Sequence, residues 1–354
     1  MNVENMRIVV YGAGAMGTVL GALLTKGGLK NVWLVTRNEA HVNGLKTSGA
    51  KIHCEADGKE LRVNVNACTP QEMTGKYDVV FLMTKQRQNK EILSFLLPYL
   101  KEDSLVCTTQ NGLPETSVAN VVGSSRTYGG VASFGATFHG GGTVALTSKI
   151  EGMSMQIAPF APAGESVDEK TQTLLEILSY VQKATGNETF AKRAENLAGA
   201  RWSKLAINAA FSGLSVVTGQ NFGEIAKGRK SKKIALGILR ECMDVATAAG
   251  VTLEEMQGHD MRKLLGGRGF FKTRFALFAL PIAMKKHKKL YSGMLKDVEN
   301  GKKCEIDFVN GAVITAGRTT QTPTPLNEKV VELVHGIENG LYEISPANLD
   351  FFEL

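Results

Sequence analysis

Two constellations in this sequence combine residue types and spacings that can do chemistry. The first is Gly12-Ala13-Gly14-Ala15-Met16-Gly17, a G-x-G-x-x-G run directly after the apolar segment Arg7 to Tyr11 and directly before a segment of helical period. In that context the first glycine permits a tight turn and the second lets the backbone approach a pyrophosphate. The third allows close packing of helix on strand, and the helix N-terminus offers amide N–H groups to the phosphates. The motif alone is weak evidence; its position between a strand and a helix makes it a dinucleotide site. The second constellation is Lys204, Asn208 and Ser212, at i, i+4 and i+8 of the largely apolar segment Ala194 to Val217. That spacing puts them on one helical face. The face is either the solvent side or the wall of a polar cleft, and Asn and Ser are poor choices for an exposed helix surface.

Further candidates stand where predicted strands end. After Asn31 to Thr36 the chain reads Val35-Thr36-Arg37-Asn38. An NAD-preferring site places a carboxylate there for the ribose 2′-hydroxyl; here a guanidinium stands instead, suited to a 2′-phosphate, so NADP(H) is the expected cofactor. The alternative is that Arg37 is an ordinary solvated loop residue. Thr84-Lys85 follows the buried-strand pattern Tyr77 to Thr84, and Gln110-Asn111-Gly112 follows Ser104 to Thr108. Ligands bind outside the carboxyl ends of parallel strands, so Lys85 and Asn111 are candidate contacts; a solvated lysine and a turn-forming Asn-Gly are the plain alternatives. Glu305 has Phe308, Val309 and Ala312 at i+3, i+4 and i+7. It is expected on the apolar side of a helix over 303–317, where a carboxylate needs a donor. That donor is either a structural cation or a substrate or cofactor hydroxyl.

The elements that must position these residues alternate in the first half. Strands are expected at 7–11, 31–36, 52–53, 61–66, 77–84 and 104–108, with helices at 15–26, 92–100 and 169–184. The glycine-rich stretch 129–147 reads as strands around a Gly140-Gly141-Gly142 turn, and Asp57-Gly58 signals a hairpin. After about Ala194 nearly everything has helical period: 194–217, 232–249, 253–265, 271–300, 303–317 and 326–339, with Thr322-Pro323-Thr324-Pro325 as a break. The fold class is therefore α/β: an N-terminal Rossmann-like dinucleotide-binding domain over 1–190, then an all-α C-terminal domain over 191–354, with the boundary near 186–195.

Composition narrows the function classes. The chain has 354 residues, 43% apolar and 21% charged, which is ordinary globular composition. Lys and Arg number 41 against 34 Asp and Glu, a net charge of +7, which suits small anions better than nucleic acid. Cys54, Cys68, Cys107, Cys242 and Cys304 are scattered and odd in number, which argues for a reducing compartment and against disulfides or a Cys-based zinc site. The six His lack metal-ligand spacing, so no metal is expected. The N-terminal apolar run lacks a signal peptide's h-region, and Phe270 to Met284 is too short and too charged to span a bilayer. A soluble cytoplasmic protein with no membrane or nucleic-acid partner is expected, the Lys285 to Lys289 cluster reading as a solvated face. The long apolar helices, Phe270 to Met284 above all, serve either a homodimer interface or the packing of the helical lobe.

Taken together, the sequence resembles the ketopantoate reductase (2-dehydropantoate 2-reductase) family. The resemblance rests on residues 12–17, Arg37, Thr84-Lys85, Gln110-Asn111-Gly112, Arg201-Trp202-Ser203-Lys204-Leu205-Ala206-Ile207-Asn208, and Met294-Leu295-Lys296-Asp297 leading to Glu305-Ile306-Asp307-Phe308-Val309-Asn310-Gly311. It spans nearly the whole chain. It implies NADPH-dependent reduction of a small 2-keto acid, for ketopantoate giving D-pantoate on the route to pantothenate and coenzyme A. It implies Lys204 as general acid and Glu305 as a second catalytic group binding the substrate hydroxyl or the cofactor. Asn208, Ser212 and Ser292 would contact substrate; Lys85, Asn111 and the backbone of Ala136 would contact the cofactor near its nicotinamide. The sequence departs from the family pattern at Ser212, where a second Asn is common, at Phe222 beside Asn221, and at Gly293 beside Ser292. It is also longer around 266–289. These departures keep two alternatives open: a reductase of a different 2-keto acid, and a non-catalytic NADPH-binding sensor.

Overall fold

The computed structural model describes residues 2–160, 164–255 and 260–353. The chain divides into two compact units. The first holds Met1–Gln110 and Pro114–Leu197, the second Asn111–Leu113 and Ala198–Leu354.

In chain order the first unit contains β1 (Ile8–Tyr11), α1 (Ala15–Lys26), β2 (Val32–Val35), α2 (Glu39–Ser48), β3 (Ala50–Cys54), β4 (Glu60–Val63), β5 (Asn66–Cys68) and β6 (Tyr77–Leu82). It continues with α3 (Asn89–Leu96), β7 (Leu100–Thr108), α4 (Glu115–Val122), β8 (Thr127–Ala132), β9 (Ala136–Gly140), β10 (Thr143–Leu146), β11 (Met155–Pro159), α5 (Glu165–Thr185) and β12 (Ala191–Arg193). Eight strands form one sheet in the order β12-β11-β8-β7-β6-β1-β2-β5, parallel except where β11 meets β8. A smaller sheet has the order β4-β3-β10-β9.

The apolar runs become strands because both faces of the large sheet are covered. Ile8 and Val10 of β1 join one core with Val79 and Phe81 of β6, under α1 and α5. Val9 and Tyr11 join another with Val80 and Leu82, under α3 and α4. The period-two alternation of a strand thus serves two cores, and an uninterrupted apolar run is the result. From β1 the chain turns to β2 on one side and later returns to β6 on the other. The carboxyl ends of β1 and β6 are therefore the topological switch point, where open α/β sheets bind ligands.

The second unit is helical: α6 (Leu197–Ile207), a π turn (Asn208–Ser212), α7 (Gly213–Thr218), α8 (Phe222–Lys227), α9 (Ser231–Ala248), α10 (Met261–Leu265), α11 (Phe270–Ala283), α12 (Gly293–Glu299), α13 (Ile306–Thr320) and α14 (Pro325–Glu338). Its core is one cluster built on Leu205, Phe211, Leu214, Ile238, Leu239 and Leu333, among others.

Several expected elements differ. The strand expected over 61–66 is two strands: β4 pairs with β3 in the small sheet, while β5 joins β2 in the large one. The helix expected over 271–300 ends at Ala283, and Ser292 starts a new one by accepting a hydrogen bond from the Met294 N–H at 3.1 Å. The helix expected over 253–265 begins only at Met261, behind the cap Asp260; residues 256–259 lie outside the described residues. Helices α2, α4 and α8 were not expected. α2 is held by contacts remote in sequence rather than by its own periodicity. Its His41 is buried, accepts from the Gly142 N–H through Nδ1 at 3.0 Å, and meets the Thr18 hydroxyl through Nε2 at 3.0 Å. Burial lowers the His41 pKa, which favours the neutral ring that this acceptor role requires.

Gly44 lets α2 lie against the 140–142 turn: a Cβ there would stand 2.1 Å from the Gly141 carbonyl carbon. Gly44→Ala is therefore expected to destabilise the protein by about 1–3 kcal/mol through overpacking. Thermal melting checks this, and an unchanged or higher Tm contradicts the packing described.

Candidate active site

In the first unit the turn after β1 is drawn tight because the Gly12 and Ala13 N–H groups both donate to the Val35 carbonyl, each at 2.9 Å. Gly12 has φ +100°, and a Cβ on it would stand 2.6 Å from the Thr84 nitrogen at the end of β6. A Cβ on Gly17 would stand 2.5 Å from the Gly12 carbonyl oxygen. These two glycines are thus required by the protein's own packing. Gly14 is different: a Cβ there would meet nothing within 4 Å. The space beside Gly14 at the start of α1 faces first-turn amides that the helix itself leaves without carbonyl partners. Such a cradle fits a pyrophosphate. Ala13 is buried, and Ala15 and Met16 are half-buried on the same turn.

Arg37 lies exposed two residues beyond β2 and donates through Nη2 to the Gln88 side-chain oxygen at 2.8 Å. Its positive charge also reaches Tyr11 at the end of β1, where it opposes the larger rise in phenol pKa caused by burial. No carboxylate occupies the residues from Val35 to Asn38, so this end of the crevice presents a guanidinium. Lys85 is exposed just past β6 and caps the short turn Gln86–Gln88. Ala136 opens β9 of the small sheet and is half-buried. Asn111 is exposed and groups with the helical unit.

Sequence reasoning missed a polar staple beneath these ends. The buried Gln110 side chain donates to Thr84 Oγ1 at 3.2 Å and to Asn89 Oδ1 at 2.7 Å, while accepting from Asn89 Nδ2 at 3.1 Å and Thr108 Oγ1 at 2.9 Å. Asn89 also donates to Ser117 Oγ at 2.8 Å. This network ties the carboxyl ends of β6 and β7 to α3 and α4. Its signal in the sequence was an amide directly after a buried strand, but only the neighbouring Asn111 was singled out.

In the second unit Lys204 and Asn208 are half-buried and Ser212 is buried. The π turn at 208–212 winds the chain less per residue than an α-helix does. It offsets the drift of each i+4 step and brings Ser212 back toward the line of Lys204. The carbonyl of Ala209, inside that turn, accepts from the buried Asn310 side chain at 3.1 Å. Asn310 in turn donates to Asn327 at 2.9 Å, and Asn327 donates to Glu241 at 2.7 Å. The E-I-D-F-V-N-G segment therefore supplies a support for the polar stripe that was not foreseen.

Lys204 is the most perturbed cation of the helical unit. Desolvation, followed by repulsion from the buried Arg201 guanidinium one turn earlier, lowers its pKa to about 8. An ammonium with that pKa can surrender a proton near neutral pH, the property a general acid needs.

Glu305 requires a correction. It does not lie within a helix on its apolar side; it is the residue preceding α13, half-buried, with φ −99° and ψ 28°. The start of α13 is fixed from α14. The Cys304 N–H donates to Glu338 at 2.7 Å, and His335 bridges Asp307 at 2.8 Å and Glu338 at 3.2 Å. Ser292 is buried and already engaged as the cap of α12. Phe222 is a core residue whose ring centroid lies 5.5 Å from that of Phe211 with the rings tilted, and the adjacent Asn221 caps α8. The departure at Phe222 thus concerns packing. All five cysteines are buried thiols. Among the described residues no cluster of three or more His, Cys, Asp or Glu could hold a metal, and no helix is long and apolar enough to cross a membrane.

Both halves of the chain are similar to known proteins. Residues 8–159 match the family model Ketopantoate reductase PanE/ApbA, and residues 196–338 match Ketopantoate reductase PanE/ApbA C terminal. A 2-dehydropantoate 2-reductase of Pyrococcus abyssi is 26% identical over 335 residues, covering 94% of this chain and 98% of its own. One from Lactococcus lactis is 26% identical over 339 residues, with the same coverage of 94% and 98%. Among solved structures, a D-mandelate dehydrogenase with NADH and anilino(oxo)acetate has a TM-score of 0.79 at 24% identity, covering 95% of this chain and 99% of its own. A PanE/ApbA family ketopantoate reductase from Ralstonia eutropha has a TM-score of 0.76 at 22% identity, with the same coverage of 95% and 99%. The two matched segments account for both halves of the chain, and the protein belongs to the ketopantoate reductase family.

Proposed function

We propose that the protein is an NADPH-dependent reductase that converts 2-dehydropantoate (ketopantoate) to D-pantoate, the step toward pantothenate and coenzyme A. The observation that carries the reading is Lys204: an ammonium with its pKa lowered to about 8, on the polar stripe of an otherwise apolar helix. NADPH, when bound, supplies the hydride for the keto carbon. The protein's part is to hold the ketone, exclude water and deliver one proton. Lys204 donates that proton to the carbonyl oxygen as negative charge develops on it. The charge appears only in the transition state, so the ammonium lowers the barrier without an equal gain in ground-state binding. Asn208 and Ser212 orient the substrate along the same stripe, with Ser292 nearby in sequence to the start of α12. Glu305 accepts from the substrate hydroxyl or from the cofactor.

On the cofactor side, residues 12–17 and the α1 amides would hold the pyrophosphate. Arg37 would pair with the 2′-phosphate through charge-assisted hydrogen bonds, which is why NADPH is preferred over NADH in this reading. Lys85, Asn111 and Ala136 would meet the nicotinamide half.

A second reading, reduction of a different 2-keto acid, is favoured by one observation. Buried Ser212 stands where the family commonly has a second Asn, and it offers one short hydroxyl in place of an amide. Turnover of a panel of 2-keto acids separates the readings. A kcat/KM for ketopantoate well above those of branched and aromatic keto acids supports the first; comparable or reversed values support the second.

Four further outcomes are expected. Gly14→Ala weakens binding of the dinucleotide about tenfold or more while leaving Tm unchanged, whereas Gly17→Ala lowers Tm as well. Equal melting losses for the two variants would contradict the distinction drawn between them. Arg37→Asp reduces the NADPH-over-NADH preference by about 10–100-fold, the worth of a hydrogen-bonded charge; an unchanged ratio removes Arg37 from the site. Lys204→Ala lowers kcat by at least about 100-fold. In the wild type the protonated lysine is the active form, so kcat/KM for reduction falls as pH rises through about 8. A profile flat from pH 7 to about 9.5 would refute its role as acid.

A further inference from the structure

The polar stripe is not a plain helical face. An α-helix advances about 100° per residue, so a straight helix would leave Asn208 about 40° and Ser212 about 80° off the line of Lys204. The chain instead holds a π turn over Asn208–Ser212, closed by the Gly213 N–H donating to the Asn208 carbonyl. Such a turn houses one residue more than an α turn. Ser212 therefore stands near where a straight helix would place i+7, about 20° to the other side of Lys204. A hydroxyl that would turn well away from the ammonium is returned to its side of the helix.

An extra residue can be housed at any turn of a helix, and each position presents a different carbonyl to its surroundings. Here the donor supplied from outside the helix goes to Ala209. The fully buried Asn310 donates to that carbonyl through Nδ2 at 3.1 Å, and through the same nitrogen to Asn327 Oδ1 at 2.9 Å. Asn327 is fixed in turn by Glu241, whose carboxylate accepts from the Leu326 N–H at 2.8 Å, the Asn327 N–H at 3.0 Å and Asn327 Nδ2 at 2.7 Å. Helices α9, α14 and α13 thus bear on one carbonyl of the π turn. Gly213 closes the fit: a Cβ there would stand 2.6 Å from Val330 Cγ1 and 2.9 Å from Asn310 Oδ1. That Oδ1 is buried and accepts no hydrogen bond. A leucine would fill the same space without an orphaned oxygen, so what the amide contributes is its hold on the carbonyl rather than its burial.

We propose that Asn310 is a positioning residue: it fixes the π turn at 208–212 and so sets the register of Asn208 and Ser212 against Lys204. The proposal rests on the reading of that stripe as the wall that orients the ketone. Asn310 acts through the Ala209 carbonyl and not on substrate. Lys204 stands before the turn, on α6, so its own place does not depend on the lock. Losing the lock moves the groups that orient the ketone and leaves the acid where it is. The signature is a split: KM suffers, while the pH at which the rate falls stays put. A residue that served stability alone would lower Tm and leave the KM of the folded molecules unchanged.

Asn310→Leu keeps the volume and removes the donor. Crystal structures of the variant and the wild type test the lock without any turnover. The Gly213 N–H is expected to leave the Asn208 carbonyl in the variant; a π turn unchanged at 208–212 overturns the proposal. Kinetics test its consequence on a 2-keto acid that the wild type reduces. Asn310→Leu is expected to raise KM at least about tenfold, with the pH midpoint of kcat/KM unmoved. Ser212→Ala, costly in the wild type, is expected to cost less than about twofold in the Asn310→Leu background, because both act through one arrangement. An unchanged KM, a shifted midpoint, or a Ser212→Ala loss as large in the variant as in the wild type overturns the proposal. If Asn310→Leu does not fold, Asn310→Asp, with one donor at most in place of two, is read the same way. A wild type that reduces no 2-keto acid removes the functional reading instead, and the crystallographic comparison then decides the lock.

Discussion

An ammonium held in an apolar helix is the constraint around which the helical unit is arranged. Lys204 is half-buried, has a buried guanidinium one turn before it, and is desolvated enough for its pKa to fall. Such a group is costly to fold around, because neither desolvation nor a like charge favours the protonated form. The surrounding structure must hold it there by other means. Leu205, Ala206, Ala209, Ala210 and Phe211 bury the remaining faces of the helix. The π turn is secured from outside by Asn310, which is itself tied through Asn327 to Glu241. The same cost changes what the group can do: a lysine whose pKa falls to about 8 can release a proton near neutral pH, where an ordinary surface lysine does not.

The first unit answers a different constraint, the close approach of backbone to backbone at the switch point of its sheet. Gly12 passes so near Thr84 that no side chain fits, and Gly17 lies as tightly on Gly12. What remains open is Gly14, the one glycine of the three whose missing side chain serves no neighbour in the chain. The Gln110–Asn89–Thr84 staple then holds the ends of β6 and β7 in register beneath the crevice. Rigid strand ends and an open helix start are what the proposed dinucleotide site on this half requires.

Much of the architecture was legible in the residues. Uninterrupted apolar runs such as Tyr77 to Leu82 marked strands covered on both faces, and the 3.6-residue period after 194 marked the helical half. What escaped notice was decided by contacts remote in sequence. α2 has little amphipathic pattern and is fixed by His41 reaching Gly142 and Thr18. The break between α11 and α12 hides in an apolar and basic stretch, where Ser292 acting as a cap is the only local cue. Glu305 looked internal because its i+3 and i+4 neighbours are apolar, yet the helix begins one residue later, where Glu338 takes the Cys304 N–H. The candidate acid was readable as a polar interruption of an apolar helix. Its support Asn310 was not, and neither was the Gln110 staple of the first unit, since a buried amide declares its partners only once the fold brings them together.

The account depends most directly on the ionisation of Lys204. Selective 13Cε labelling of lysine, with the resonance assigned through Lys204→Arg, would follow that ionisation by NMR in the ligand-free protein. The account predicts a titration centred near pH 8. A midpoint at about 10.4, the value of a fully hydrated lysine, would contradict it.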